Sequence, residues 1–187
     1  MPELLDICDH EGHLTGETMV RSEAHRSQAW HRVVLVWIIN SKGEILLQRR
    51  AEHLTLFPGL WDVSVSGHIS AGDEATPTAV REIQEELGVA INPAQLNFAD
   101  TVADRLPTTV PGRTHQEYDF IYVAHHDAAI DKLKLQAAEI LEARWIAPDA
   151  YEAELRDPVG SKDHSQRNDD VYWAVLNAAR GVAGARA

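Results

Sequence analysis

Val33-Val34-Leu35-Val36-Trp37-Ile38-Ile39 is an unbroken apolar run rich in β-branched residues, and it is closed by the turn residues Asn40-Ser41-Lys42-Gly43. That composition predicts a core strand, and Glu44 to Arg49 after the turn predicts its hairpin partner. Before it, residues 1–24 are polar, with turns near Gly12 and Gly16, and Leu4, Leu5 and Ile7 predict a short edge strand. After it, Phe57-Pro58-Gly59 reads as a turn, and Trp61 to Gly67 alternates like a single strand. Thr76-Pro77 predicts an N-cap and first-turn proline, and Leu87-Gly88 a stop, so a helix is expected from Pro77 to Leu87. Short strands follow at Val89 to Ile91 and Leu96 to Val102. Arg105 to Thr114, with two prolines and a glycine, predicts a loop over the active face. Tyr118 to Ala124 predicts another strand, Ala138 to Ala143 a turn or short helix, and Arg144 to Ile146 a last strand. Helices are expected at Pro148 to Leu155 and from Asp169 to Arg180, ending at Gly181. This order describes an α+β or α/β sandwich with a mixed sheet between helices.

Composition narrows the function classes. At 187 residues the chain suits one domain: an N-terminal extension over 1–30, a core over 31–148 and a helical part over 149–187. Its formal charge of −12 disfavours a nucleic-acid polymer or an anionic membrane as partner. The one cysteine, Cys8, excludes an internal disulfide and a cysteine-built zinc site. No basic-then-apolar leader opens the chain, so a cytoplasmic location is expected, as a monomer or homodimer.

The chemistry concentrates in the predicted helix. At about 100° per residue, Ala79, Val80, Ile83 and Leu87 share one side, and Glu82, Glu85 and Glu86 fall together beside it. Like charges at this spacing repel, so a structural role gives no reason for the cluster. A hard divalent cation, Mg²⁺ or Mn²⁺, does. Arg81 lies one turn before Glu85 and is expected to pair with it rather than to bind phosphate.

The segment Gly67 to Val89 resembles the signature of the Nudix hydrolases: glycine, five residues, an acidic residue, seven residues, then Arg-Glu-aliphatic-any-Glu-Glu-any-Gly-aliphatic. Gly67, Arg81, Glu82, Ile83, Glu85, Glu86, Gly88 and Val89 match, while Asp73 stands where the family has glutamate. The resemblance implies an α/β/α sandwich with a central mixed sheet. It also implies a metal-dependent hydrolase of small organic diphosphates, with metal held by Glu82, Glu85, Glu86 and the Gly67 carbonyl. Of the adjacent Arg49 and Arg50, one is expected to contact phosphate. The general base stays open among Glu82, Glu117 and Glu139.

A second set of residues is similar to the isopentenyl-diphosphate isomerases: His25 and His31, Gln48-Arg49-Arg50, Pro58-Gly59, Trp61-Asp62 and Gly67-His68. This likeness implies a second metal site of His25, His31, His68, His115 and Glu117, in which the isomerases' E-x-E strand has become His115-Gln116-Glu117. Those isomerases also use a cysteine for proton transfer, and Ser66 holds that place here. A serine hydroxyl is a far weaker acid than a thiol, which argues for hydrolysis over isomerisation. A non-catalytic nucleotide sensor is the remaining class. Such domains commonly lose the helix glutamates, and this chain keeps them.

Overall fold

A computed structural model of the chain describes residues 2–107, 114–165 and 167–184. Nine strands and four α-helices are present among them: β1 Leu4–Cys8, β2 Leu14–Val20, α1 Arg21–Ser27, β3 Trp30–Ile39, β4 Ile45–Arg50, β5 Trp61–Asp62, β6 Val65–His68, α2 Ala75–Leu87, β7 Leu96–Pro107, β8 Thr114–His125, β9 Ile140–Ile146, α3 Pro148–Arg156 and α4 Asp169–Gly184. No helix among the described residues is long and apolar enough to cross a membrane.

The apolar run became β3, and β3 organises the sheet. One edge pairs in parallel with β8, from His31↔Glu117 to Ile39↔His125. The other edge is shared in succession by β1 at Trp30 and His31, by β6 from Val33 to Val36, and by β4 at Ile39 alone. The expected β3–β4 hairpin therefore pairs only at its mouth. Beyond that point β4 turns to β9 on one side and β5 on the other. Ser64 props the split open: its Oγ accepts from the Ile38 N–H at 2.8 Å and donates to the Leu46 carbonyl at 2.6 Å. One hydroxyl thus satisfies two buried backbone groups that would otherwise have paired across the hairpin.

Because β3 is covered on both faces, its run is continuous rather than alternating. Val33, Leu35, Trp37 and Ile39 pack towards Tyr151 of α3 and Val171, Val175 and Leu176 of α4. Val34, Val36 and Ile38 pack on the opposite side with Ala79, Ile83 and Leu87 of α2. The result is the expected mixed sheet between helices.

Several boundaries differ from expectation, each for a tertiary reason. β1 is not an edge strand, since β2, unexpected from its polar sequence, covers its outer side. The strand expected from Trp61 to Gly67 is broken at Val63-Ser64, where Ser64 leaves the ladder to bridge β3 and β4. α2 starts at Ala75 with Glu74 as N-cap and no side-chain cap, and Thr76 instead hydrogen-bonds the Tyr122 hydroxyl at 3.0 Å. Val89 to Ile91 forms no strand. β7 continues through Arg105 to Pro107, held by β8, so only residues 108–113 of the expected loop remain, and they lie outside the described residues. β9 starts at Ile140, and α4 runs past Gly181 to Gly184.

Candidate active site

Strand alternation places the two halves of the site. A Cβ built on Gly67 of β6 would meet Glu82 of α2, at 2.4 Å from its Cδ. Its neighbours Ser66 and His68 therefore face the other side of the strand. Only a glycine lets the Glu82 carboxylate approach β6 so closely. Arg81 braces it, with Nη1 2.9 Å from Glu82 Oε1 and 3.2 Å from Glu85 Oε2. The arginine thus contacts both Glu85, one turn on, and its neighbour Glu82. Glu85 is exposed, whereas Glu86 is buried; the Ser66 N–H lies near its carboxylate, but neither oxygen makes a full hydrogen bond among the described residues. Burial, then the charges of Glu139 and Glu82, push the Glu86 carboxyl well above its usual range. Burial also pushes Glu82 up to about 7, against the opposing charge of Arg81. Two carboxylates so strained towards the neutral form are what a divalent cation would relieve.

On the other side of β6, the histidines gather from four elements. His25 comes from α1, His31 from β3, His68 from β6 and His115 from β8. Ligand atoms of His25, His31 and His68 all lie within 4.8 Å of one another, with the Nε2 atoms of His25 and His68 2.9 Å apart. His115 stacks on His25 at 4.1 Å between centroids, and Glu117 Oε1 lies 3.4 Å from His115 Nδ1 and 3.8 Å from His31 Nε2. His31 Nδ1 donates to the Ala29 carbonyl at 2.9 Å, which fixes its tautomer and leaves Nε2 as a lone pair with no partner. Burial holds His25 down to about 3 and lowers His31 and His68. Neutral imidazoles around one carboxylate suit a borderline divalent metal.

A cavity of about 440 Å³ opens beside this cluster. His25, His68, His115 and Glu117 line it together with Gly67, Arg50 and Glu139, while no residue of α2 does. Glu82 thus packs against Gly67 without forming the wall itself. Arg50 and Arg49, adjacent in sequence, separate here. Arg50 lines the cavity; Arg49 is held by the Gly59 carbonyl at 2.8 Å and Glu142 at 3.1 Å and does not. The sequence reading missed three groups on the wall. Arg21 and Glu3, an ion pair of 3.1 Å, come from the stretch taken as an extension, and Arg167 comes from a polar segment with no periodicity. Nothing in local spacing signals them.

A family profile described as NUDIX domain matches residues 29–166. "Nudix hydrolase 3" of Arabidopsis thaliana is 31% identical over 152 residues, a match that covers 80% of this chain but 20% of that longer protein. "Isopentenyl-diphosphate Delta-isomerase" of Nocardia farcinica is 32% identical over 152 residues, covering 81% of this chain and 83% of its own length. The crystal structure of DR0079 from Deinococcus radiodurans superposes with a TM-score of 0.69 at 24% identity, over 92% of this chain and 97% of that one.

Proposed function

This chain belongs to the Nudix hydrolase family, whose activity in general is hydrolysis of a diphosphate bond, and from that premise we propose metal-dependent cleavage of a small organic diphosphate, of nucleoside-diphosphate type or another. In the reaction a water oxygen forms a bond to one phosphorus, the bond from that phosphorus to the bridging oxygen breaks, and two phosphate-bearing products leave. Glu82, Glu85, Glu86 and the Gly67 carbonyl would hold Mg²⁺ or Mn²⁺, and His25, His31, His68, His115 and Glu117 a second ion. A cation bound there would neutralise charge on the phosphoryl oxygens and acidify the attacking water.

The chain's own residues do the rest. Arg50, on the cavity wall, contacts a phosphate oxygen. Glu139, on the same wall, takes the proton released from water. Arg81 keeps Glu82 and Glu85 in register. The observation that carries this reading is a set of buried donor-set atoms that make no full hydrogen bond among the described residues: both oxygens of Glu86 and the Nε2 of His31. Buried polar atoms without partners are costly, and metal coordination removes that cost.

The test is a turnover screen after chelation, with Mg²⁺ or Mn²⁺ restored, over nucleoside di- and triphosphates, nucleotide sugars, dinucleoside polyphosphates, thiamine diphosphate and isoprenoid diphosphates. Metal-dependent cleavage of the diphosphate bond, read by chromatography of the two phosphate-bearing products, supports the reading. No turnover and no metal binding would exclude it.

A second reading, isomerisation of an isoprenoid diphosphate, is favoured by the likeness to the Nocardia enzyme and by the histidine cluster. Ser66 opposes it, since its hydroxyl lies 3.5 Å from Arg50 Nη1 and supplies no readily ionised acid. Incubation with isopentenyl diphosphate separates the two: dimethylallyl diphosphate marks the isomerase, and released phosphate the hydrolase.

A further inference from the structure

Of the three arginines on the cavity wall, Arg50 and Arg167 flank one buried carboxylate, Asp62. Asp62, on β5, is fully buried. Its Oδ1 accepts from the Val63 N–H at 2.9 Å, Ser165 Oγ at 2.8 Å and Arg167 Nε at 2.8 Å. Its Oδ2 accepts from Arg167 Nη2 at 2.9 Å, which completes a two-pronged pairing. Arg50 is held much more loosely. Its Nη1 stands 3.5 Å from Asp62 Oδ2 and 3.5 Å from Ser66 Oγ, at the limit of a hydrogen bond, and among the described residues its one short bond runs from Nε to the Leu56 carbonyl at 2.9 Å.

Arg167 is itself built in. It is buried, its guanidinium carbon lies 5.5 Å from the Phe57 ring centroid, and neighbouring residues tie its segment to the sheet. Ser165 N–H donates to the Trp61 carbonyl at 2.8 Å, and Asn168 N–H to Asp104 Oδ2 at 3.0 Å.

We propose that Arg167 is a positioning residue for substrate binding: by occupying both oxygens of Asp62, it prevents that carboxylate from capturing Arg50 and leaves the end of the Arg50 guanidinium to the substrate's phosphate. The inference rests on the reading of Arg50 as a phosphate contact. The physical reason is competition. A buried carboxylate with one arginine removed takes the next donor within reach, because an unpaired buried charge is costly. Arg50 Nη1 is already 3.5 Å away, so a small rotation would complete a two-pronged pair with Asp62. Each binding event would then have to break that pair first.

A double-mutant cycle tests this, with methylenediphosphonate, whose P–C–P bridge resists hydrolysis, as the probe in Mg²⁺ and calorimetry as the readout. Arg167→Gln and Arg167→Lys are expected to weaken its binding about tenfold. Arg167→Lys keeps the charge, and so the fold, but covers one Asp62 oxygen and frees the other for Arg50. Adding Asp62→Asn to Arg167→Gln removes the competitor and is expected to restore binding, although Arg167 is still absent. A purely structural arginine would show no such rescue. Wild-type binding in folded Arg167→Lys, or a double variant as weak as Arg167→Gln, overturns the proposal. Arg50→Met is the control on the premise: if it binds the probe like wild type, the reading of Arg50 itself fails, an outcome distinct from weak binding in Arg50→Met with no effect at Arg167.

Discussion

Gly67→Ala adds one methyl group, and the structure says where it goes. The new Cβ would lie 2.4 Å from Glu82 Cδ, 2.5 Å from Cγ and 2.6 Å from Oε1. Reaching ordinary contact at 3.4 Å requires the carboxyl carbon to retreat by about 1 Å. The obstacle is a side chain, not backbone, so the fold survives at a cost of about 1–3 kcal/mol. What is lost is position. Glu82 is braced by Arg81 at 2.9 Å, and a shift of about 1 Å takes it out of register with Glu85 and Glu86. A misplacement of about 1 Å in a reacting assembly costs roughly a hundredfold in rate. The assay is kcat with saturating Mn²⁺ alongside the Mn²⁺ dissociation constant and the melting temperature. Gly72→Ala is the control: its φ of +82° strains any side chain, but nothing lies within 4 Å of the new Cβ. It is expected to cost about 1 kcal/mol of stability and no activity. Wild-type turnover and metal affinity in Gly67→Ala would refute the claim that this glycine exists to admit Glu82.

Other outcomes follow from the same geometry. Glu85→Gln, at an exposed position, is expected to lower turnover about a hundredfold or more with an unchanged circular dichroism spectrum; full activity would remove Glu85 from the site. Chelation is expected to abolish turnover and added Mg²⁺ or Mn²⁺ to restore it, and turnover that survives chelation would remove the metal from the reaction. In chelator, Glu82 titrates at about 7 rather than 4.5, so its contribution to stability is complete below 4.5 and lost as the pH rises through 7. Glu82→Gln is therefore expected to be more stable than wild type at about pH 8, by on the order of 2 kcal/mol, and no more stable at about pH 4, as read by urea denaturation. His25 has the opposite sign: held near 3, it contributes stability above 6.5 that is lost as the pH falls towards 3, so His25→Gln flattens the acid limb of the same curve. Ser64→Ala deletes one oxygen but orphans the Ile38 N–H and the Leu46 carbonyl, and is expected to cost about 2–4 kcal/mol in chemical denaturation.

Much of the site was legible because its signal is local. Gly67, Arg81, Glu82, Glu85 and Glu86 lie within one loop and helix, where fixed periodicity turns spacing into geometry. The histidines and Glu117 were read from likeness to a related family, and the structure brings all five together although they come from four separate elements. The helices of the C-terminal part were near their expected places, since an apolar stripe at helical spacing needs no partner to be recognised.

The rest depended on contacts between distant residues. Whether β3 and β4 remain a hairpin is decided by Ser64, a residue with no strand-breaking character of its own. The divergence of Arg49 and Arg50 is decided by which of them finds Glu142 and which faces the cavity. Asp62 and Arg167, 105 positions apart, form a buried pair that neither sequence neighbourhood announces. The sequence by itself determined the core strand, the main helices, their apolar faces and the carboxylate cluster of one helix, because those follow from propensity and periodicity over a few residues. Only the tertiary structure decided which arginine serves the cavity, how the histidines meet and what holds the sheet apart. Pairings between buried groups depend on distance in space, and chain spacing does not encode it.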